Sequence, residues 1–310
     1  MKKISVILFA LLIVSCTKNN KNKQPISQSV NSTAKIQELK MPAIPMAIVE
    51  PMERASYLAG HYWDNLSFDP IQTENDTSSL EQYFSNYLAI LNESNKSTLE
   101  DNIRKSLTII NTDSFYLAMF NHLSDKYLYD PNSPFRNDEL YLMFVNAFKD
   151  NPMLSYADRE RLKFKYALLQ KNRIGHKAEN FSFMTDEGGS SLSKVKADLL
   201  LLYFNNPGCH ACEEVQAQLQ ASDLLNDRLN KGKLTVLSIY PDEDLTEWEK
   251  HKNKQPKNWI NGYDSKQDIK TGLLYDLKAI PTIYLLDNNK NVILKDATVQ
   301  QLESYIYEHQ

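Results

Sequence analysis

Leu199–Val215 reads LLLLYFNNPGCHACEEV, and the fold turns on that stretch. Leu199–Phe204 is an apolar run of strand length, Asn205–Gly208 is turn chemistry, and Cys209-His210-Ala211-Cys212 opens a segment of helical character. The order is strand, tight turn, then a Cys-x-x-Cys in the first turn of a helix. That turn has free backbone N–H groups and the positive end of the helix dipole. Both stabilise a thiolate, which makes a cysteine there a better nucleophile at neutral pH. Two intervening residues let the second sulfur swing within bonding distance of the first, so the pair can alternate between dithiol and disulfide.

Two blander readings compete. An all-cysteine zinc site needs four thiols, and the chain has 3 cysteines. A static disulfide closing so short a loop adds little stability, because loop-closure entropy grows with loop length. Redox chemistry is the better explanation of the pair.

At 310 residues the chain has room for two cores. A hydrophobic fraction of 42% and a charged fraction of 24% are those of a globular protein. A formal charge of −4 without a basic helix face excludes a nucleic-acid footprint. With 8 Gly against 17 Tyr, helices with aromatic packing are favoured over a turn-rich β architecture.

The N-terminus carries a targeting pattern. Lys2 and Lys3 precede the apolar run Ile4–Val14, which is too short to span a bilayer and fits a signal-peptide core. It ends Ile13-Val14-Ser15-Cys16, which resembles the bacterial lipobox, whose cysteine is lipidated and becomes the mature N-terminus. The resemblance implies a lipid anchor at Cys16 that holds the protein to a membrane without a transmembrane helix. Only Cys209 and Cys212 then remain as thiols. Thr17 stands where an inner-membrane retention signal places Asp. By resemblance to lipoprotein sorting, this implies the outer membrane of a Gram-negative cell, facing the periplasm. From Thr17 to Lys35 the chain is Asn-, Lys-, Ser- and Gln-rich without an aromatic residue, and reads as a disordered tether. Counted to Pro42, such a coil reaches roughly 25–30 Å.

From Ile36 to about Asn172 the periodicity is helical. Pro51 can open a first helix. Leu80, Tyr83, Phe84, Tyr87, Leu88 and Leu91 form a stripe. Thr98 and Thr112 are placed to cap the next two helices, and Ser155 with Asp158 resembles a capping box. Six helices with short polar connections predict a small bundle. Arg54, His61, Tyr62, Trp63 and Asp64 are its densest polar–aromatic cluster, read as a capped helix end with aromatic core residues rather than a partner surface. His61 and His122 lie in aromatic stripes and read as packed. The arrangement, roughly Met41 to Asn172 with Arg54–Asn65 (RASYLAGHYWDN), resembles a helical domain of unknown function fused to thioredoxin-like domains in exported bacterial lipoproteins.

After the bundle, strands and helices alternate. Phe181–Met184, a turn at Asp186–Gly189 and Ser191–Ser193 read as a hairpin. Core strands are expected at Leu199–Phe204, Leu234–Tyr240 and Ile283–Leu286, with Val292–Leu294 after a turn at Asp287–Lys290. Helices are expected from the Cys motif to about Gln220, at Leu245–His251, at Gln267–Leu277 and at Val299–Tyr307. This predicts a mixed sheet covered on both faces.

The order resembles the thioredoxin fold, and within it the extracytoplasmic TlpA/ResA-like thiol–disulfide oxidoreductases. The resemblance rests on Gly175, Ala178 and Phe181 as a lead-in, on Cys209 and Cys212, and on Ile280-Pro281-Thr282 before a strand, and it covers about Ile174 to Gln310. It implies a cis Pro281 beside the cysteines and an outward-facing Ile280 backbone able to pair with an extended substrate. His210 would join Ile280 and Pro281 against that substrate. Cys209 would be the nucleophile and Cys212 the resolving thiol. Electrons would reside in the cysteine pair, with no metal or organic cofactor. Partners would be exported protein thiols or disulfides and a membrane or periplasmic electron donor, with no nucleic acid.

The sequence departs from that family at three places. Gly208 replaces the usual Trp before the first cysteine, Tyr203 occupies the place of a buried acid, and Glu213 and Glu214 stand where a basic residue is common. Negative charge there disfavours a thiolate, and a protonated His210 would offset it. The Glu pair predicts a reductant. The resulting division is a signal peptide at 1–15, a lipidated cysteine and tether at 16–38, an all-helical domain at 39–172 and a thioredoxin-like α/β domain at 173–310. The alternatives are an adaptor that uses the fold only for docking, and copper handling by Cys209, Cys212 and His176 or His210.

Overall fold

The computed structural model describes residues 39–66 and 77–309. The expected signal peptide, the expected lipidation at Cys16 and the expected tether lie outside the described residues. Six α-helices are seen between Leu39 and Asn172 among the described residues: α1 Pro51–His61, α2 Thr77–Asn92, α3 Leu99–Ile110, α4 Ser114–Ser124, α5 Asp138–Phe148 and α6 Tyr156–Leu169. Their apolar stripes meet in one aromatic core. On α2, Leu80, Phe84, Tyr87, Leu88 and Leu91 are all buried, the spacing of a single helix face. Trp63 packs edge-on against Phe120 at 4.8 Å between ring centroids, and Phe84 meets the same ring at 5.4 Å. The Tyr87 hydroxyl is paired with Ser106 Oγ at 2.8 Å, so the core keeps a polar group at low cost. Within the polar–aromatic cluster, Tyr62 and Trp63 are core residues. His61 stays partly exposed and pairs with Asp64 at 2.6 Å.

Caps differ in detail from expectation. Thr98 precedes α3 without a side-chain cap bond. Asp113, not Thr112, caps α4: its carboxylate accepts the Phe115 N–H at 2.7 Å. An Asp one residue nearer the helix supplies a charged acceptor, and Thr112 turns back to the Ile109 carbonyl instead. Ser155 does accept the Asp158 N–H, at 3.1 Å, and its hydroxyl donates to the Asp158 carboxylate.

The second unit is a sheet of seven strands: β1 Ser182–Thr185, β2 Gly188–Ser191, β3 Leu199–Phe204, β4 Leu234–Tyr240, β5 Ile260–Tyr263, β6 Thr282–Asp287 and β7 Val292–Lys295. Their order is β2-β1-β5-β4-β3-β6-β7. Helices α7 His210–Ala221, α8 Asp223–Asn230, α9 Leu245–His251 and α10 Val299–Glu308 complete it. β3 pairs parallel with β4 and antiparallel with β6. Side chains alternate across a strand, so β3 feeds two cores. Leu200, Leu202 and Phe204 join Phe181, Phe183, Tyr275 and Tyr284 on one face. Leu201 and Tyr203 face Leu219, Leu225, Leu302 and Ile306 from α7, α8 and α10 on the other. That is why β3 is apolar throughout rather than alternating. Each such side chain contributes about 1.5–3 kcal/mol by leaving water.

The expected helix at Gln267–Leu277 is absent; the segment is a chain of turns. Gln267 and Leu273 take φ of 58° and 53°, which no right-handed helix accommodates. The buried Asp264 carboxylate accepts the Ile269 N–H at 2.7 Å and so competes with helical bonding. Two elements had escaped the sequence reading. β5, INGY, carries an Asn-Gly that mimics a turn, but pairing with β4 makes it a strand. α8 follows at once on α7, with Ser222 capping it.

Candidate active site

Strand register builds the site. Phe204, the last residue of β3, lies opposite Thr282, the first of β6. The turns leaving these two strand ends, Asn205–Gly208 and Ala279–Pro281, are therefore neighbours. The first is fastened by Asn205, whose amide donates to Ser238 Oγ at 2.8 Å, and by Asn206, whose amide donates to Asp242 at 2.5 Å. Gly208 has φ of 71°, the left-handed region where a side chain is costly, and this accounts for Gly in place of Trp.

Cys209 is the N-cap of α7. Its Sγ accepts the Cys212 backbone N–H at 3.2 Å, and its carbonyl accepts the Glu213 N–H at 3.0 Å. The sulfur thus lies against a free donor of the first helical turn. On its other side Cys209 Sγ is 3.8 Å from the Ile280 carbonyl oxygen, and the Ile280–Pro281 peptide is cis. Cys209 is half-buried; Cys212 is buried, and both are free thiols. Burial first, and then the nearby Cys209 sulfur, push the Cys212 thiol up to about 12, against a lowering by the Asn206 backbone.

The sequence reading missed an anchor at Tyr203. Its hydroxyl donates to the Cys212 carbonyl at 2.7 Å, from the fully buried face of β3. Burial, then the two cysteines, hold its phenol well above the ordinary range, so it remains a donor. The signal was a hydroxyl in an otherwise apolar strand, which needs a partner when buried. His210 lies out in solvent, with Nε2 3.3 Å from Glu214 Oε1, one turn along the helix. The structure therefore brings Cys209, Cys212, Ile280 and Pro281 together and leaves His210 at the rim. Among the described residues no group of three or more His, Cys, Asp or Glu is placed to hold a metal ion, and no helix is long and apolar enough to cross a membrane.

Comparison with known proteins agrees with this architecture. Residues 15–172 match a domain of unknown function, DUF5106, and residues 197–292 match a thioredoxin-like family. No curated protein matches. The crystal structure of a thioredoxin-like protein from Bacteroides caccae is 46% identical, with a TM-score of 0.84, covering 89% of this chain and 100% of that one. The C-terminal domain of an uncharacterized protein from Bacteroides fragilis is 53% identical, covering 44% of this chain and 98% of its own, with a TM-score of 0.43. A conserved protein of unknown function from Bacteroides fragilis is 39% identical, covering 43% and 98%, with a TM-score of 0.42. With half its length in the first family and a full-length relative of the second kind, this chain belongs to the DUF5106 family and is, in its C-terminal part, a thioredoxin-like protein.

Proposed function

We propose that the protein is an extracytoplasmic thiol–disulfide oxidoreductase acting on exported proteins. The observation that carries this reading is the seat of Cys209 Sγ, between the Cys212 N–H of a helix start and the Ile280 carbonyl, with a second thiol buried one turn behind. The Cys209 thiolate attacks one sulfur of a substrate disulfide. The substrate S–S bond breaks, half of it leaves as a thiolate that takes up a proton, and a mixed disulfide forms. Cys212 then loses its proton and attacks Cys209 Sγ, releasing the other half as a thiol. Two electrons and two protons pass from the dithiol to the substrate, and a thiol donor of the exported compartment resets the pair. Ile280 and Pro281 present the backbone edge along which an extended substrate lies, with His210 at its rim.

Glu213 and Glu214 beside the first turn weaken the thiolate form, which favours the disulfide and makes the protein a reductant. The Lys2-Lys3, Ile4–Val14 and Cys16 pattern supports a TlpA/ResA-like lipoprotein, tethered to the outer membrane and facing the periplasm. Replacing Cys212→Ser removes the resolving thiol, and this variant should accumulate mixed disulfides through Cys209 in cells. Failure to capture any disulfide-linked protein, under conditions where the chain is exported and folded, overturns the reading.

A further inference from the structure

The segment Leu273–Ile280 runs toward Cys209 without a sheet partner, so other groups must fix its backbone. Its own domain anchors it at Tyr275, buried in the sheet core with its hydroxyl donating to the Glu179 carbonyl at 2.7 Å, and the helical domain and the linker after it supply the other contacts. Lys171 Nζ donates to the Leu273 carbonyl and the Asn172 amide to the Leu274 carbonyl, both at 2.7 Å. The Tyr129 hydroxyl donates to Asp276 Oδ2 at 2.9 Å. Lys278 reaches the opposite way, with Nζ 2.5 Å from Asp138 Oδ1 and 4.1 Å from the centroid of the Tyr129 ring. Asp138 stands at the start of α5, where a carboxylate also meets the helix dipole. Its second oxygen is 2.8 Å from Lys295 Nζ of β7. Arg136 pairs with Asp296 alongside.

This cluster is withdrawn from water: the side chains of Lys278, Lys295 and Asp138 are 4%, 7% and 13% exposed. Burial alone would raise the Asp138 carboxyl, but Lys295 and Lys278 outweigh it and hold it below the ordinary range. Buried ion pairs are poor glue, because desolvation offsets much of their attraction. What they provide is direction. A short carboxylate on a rigid helix start, with two ammonium groups converging on it, admits few placements of Lys278. Only Ala279 separates Lys278 from Ile280, and successive Cα atoms are about 3.8 Å apart, so a displacement of one reaches the other with little slack.

We propose that the helical domain acts on the cysteine site by holding this loop. Asp138 and Tyr129 are positioning residues that, through Lys278 and Asp276, set where the Ile280 carbonyl lies against Cys209 Sγ. An extended substrate is aligned by that backbone edge, so the domain governs substrate registration rather than thiol chemistry. This inference rests on the oxidoreductase reading above.

The test uses the full chain with the Lys278→Met substitution, which leaves Asp138 compensated by Lys295. Two probes are reduced: a synthetic extended peptide carrying a mixed disulfide on its single cysteine, and hydroxyethyl disulfide, which has no backbone to align. The peptide KM should rise on the order of tenfold, since misplacement by a fraction of an ångström is costly in an aligned reaction. The rate with hydroxyethyl disulfide should stay that of the wild type, and Lys278→Arg should recover part of the loss. Tyr129→Phe leaves every charge in place and should raise the peptide KM in the same sense by a smaller factor, which covers the case in which Lys278→Met does not fold. An unchanged peptide KM in folded variants, or equal losses with both probes, overturns the inference alone. A wild-type chain inert toward both probes overturns the oxidoreductase reading and this inference with it.

Discussion

The two cysteines differ in environment, and alkylation should report it. Burial and the neighbouring sulfur move the Cys212 thiol from an ordinary 9.0 to about 12. Near neutral pH that is about a thousandfold less thiolate than an unperturbed cysteine carries. A more basic thiolate is intrinsically more nucleophilic, which at a Brønsted slope near one half restores a factor of roughly twenty to thirty. The remainder is a retardation of about thirty- to fiftyfold, before any allowance for the 3% exposure of Cys212. The assay is timed iodoacetamide labelling of the reduced protein at neutral pH, acid quenching and peptide mapping. Cys209 should take the first label, Cys212 should lag a free cysteine by at least that factor, and denaturant should equalise the two. Native labelling of Cys212 at the rate of a free cysteine would refute the reasoning. The same displacement affects stability. The folded chain keeps a proton that the unfolded chain gives up. This contribution is therefore fully present below about pH 9 and is lost as pH rises toward 12. A Cys212→Ser variant should lack that alkaline component in pH-dependent denaturation.

Removing the anchoring hydroxyl by Tyr203→Phe keeps the strand packed and deletes one buried hydrogen bond, at a cost of about 0.5–1.5 kcal/mol. Thermal unfolding should fall by roughly 2–4 °C per kcal/mol, and Cys212 should label faster once its turn is released. In the helical domain, Trp63→Ala empties the junction between Phe120 and Tyr87 and should cost about 3–5 kcal/mol. Circular dichroism would show this as early loss of helix, and an unchanged melt would mean Trp63 is not central to that core.

What was legible in the sequence was local. Leu199–Cys212 carries its own strand, turn and helix start, and the fold of both units follows from stripes such as Leu80 to Leu91. What was hidden depends on distant partners. INGY becomes a strand because β4 and β1 lie on either side of it. Gln267–Leu277 has helical spacing, yet Asp264 and two left-handed residues fold it into turns. Tyr203 was legible as a departure from the family but not as the donor to Cys212, since that bond joins opposite ends of the turn. Asp138, at the start of α5, meets Lys278 140 positions away. No periodicity encodes such a contact, and only the packed pair of domains creates it.

The most direct test of the central claim is a single-turnover experiment. Reduced protein is mixed with an equimolar peptide disulfide, quenched in acid and mapped by mass spectrometry. The account predicts one Cys209–Cys212 disulfide for each peptide disulfide reduced, and no turnover after Cys209→Ser. Peptide reduction that persists without Cys209, or that leaves Cys209 and Cys212 unjoined, would contradict it.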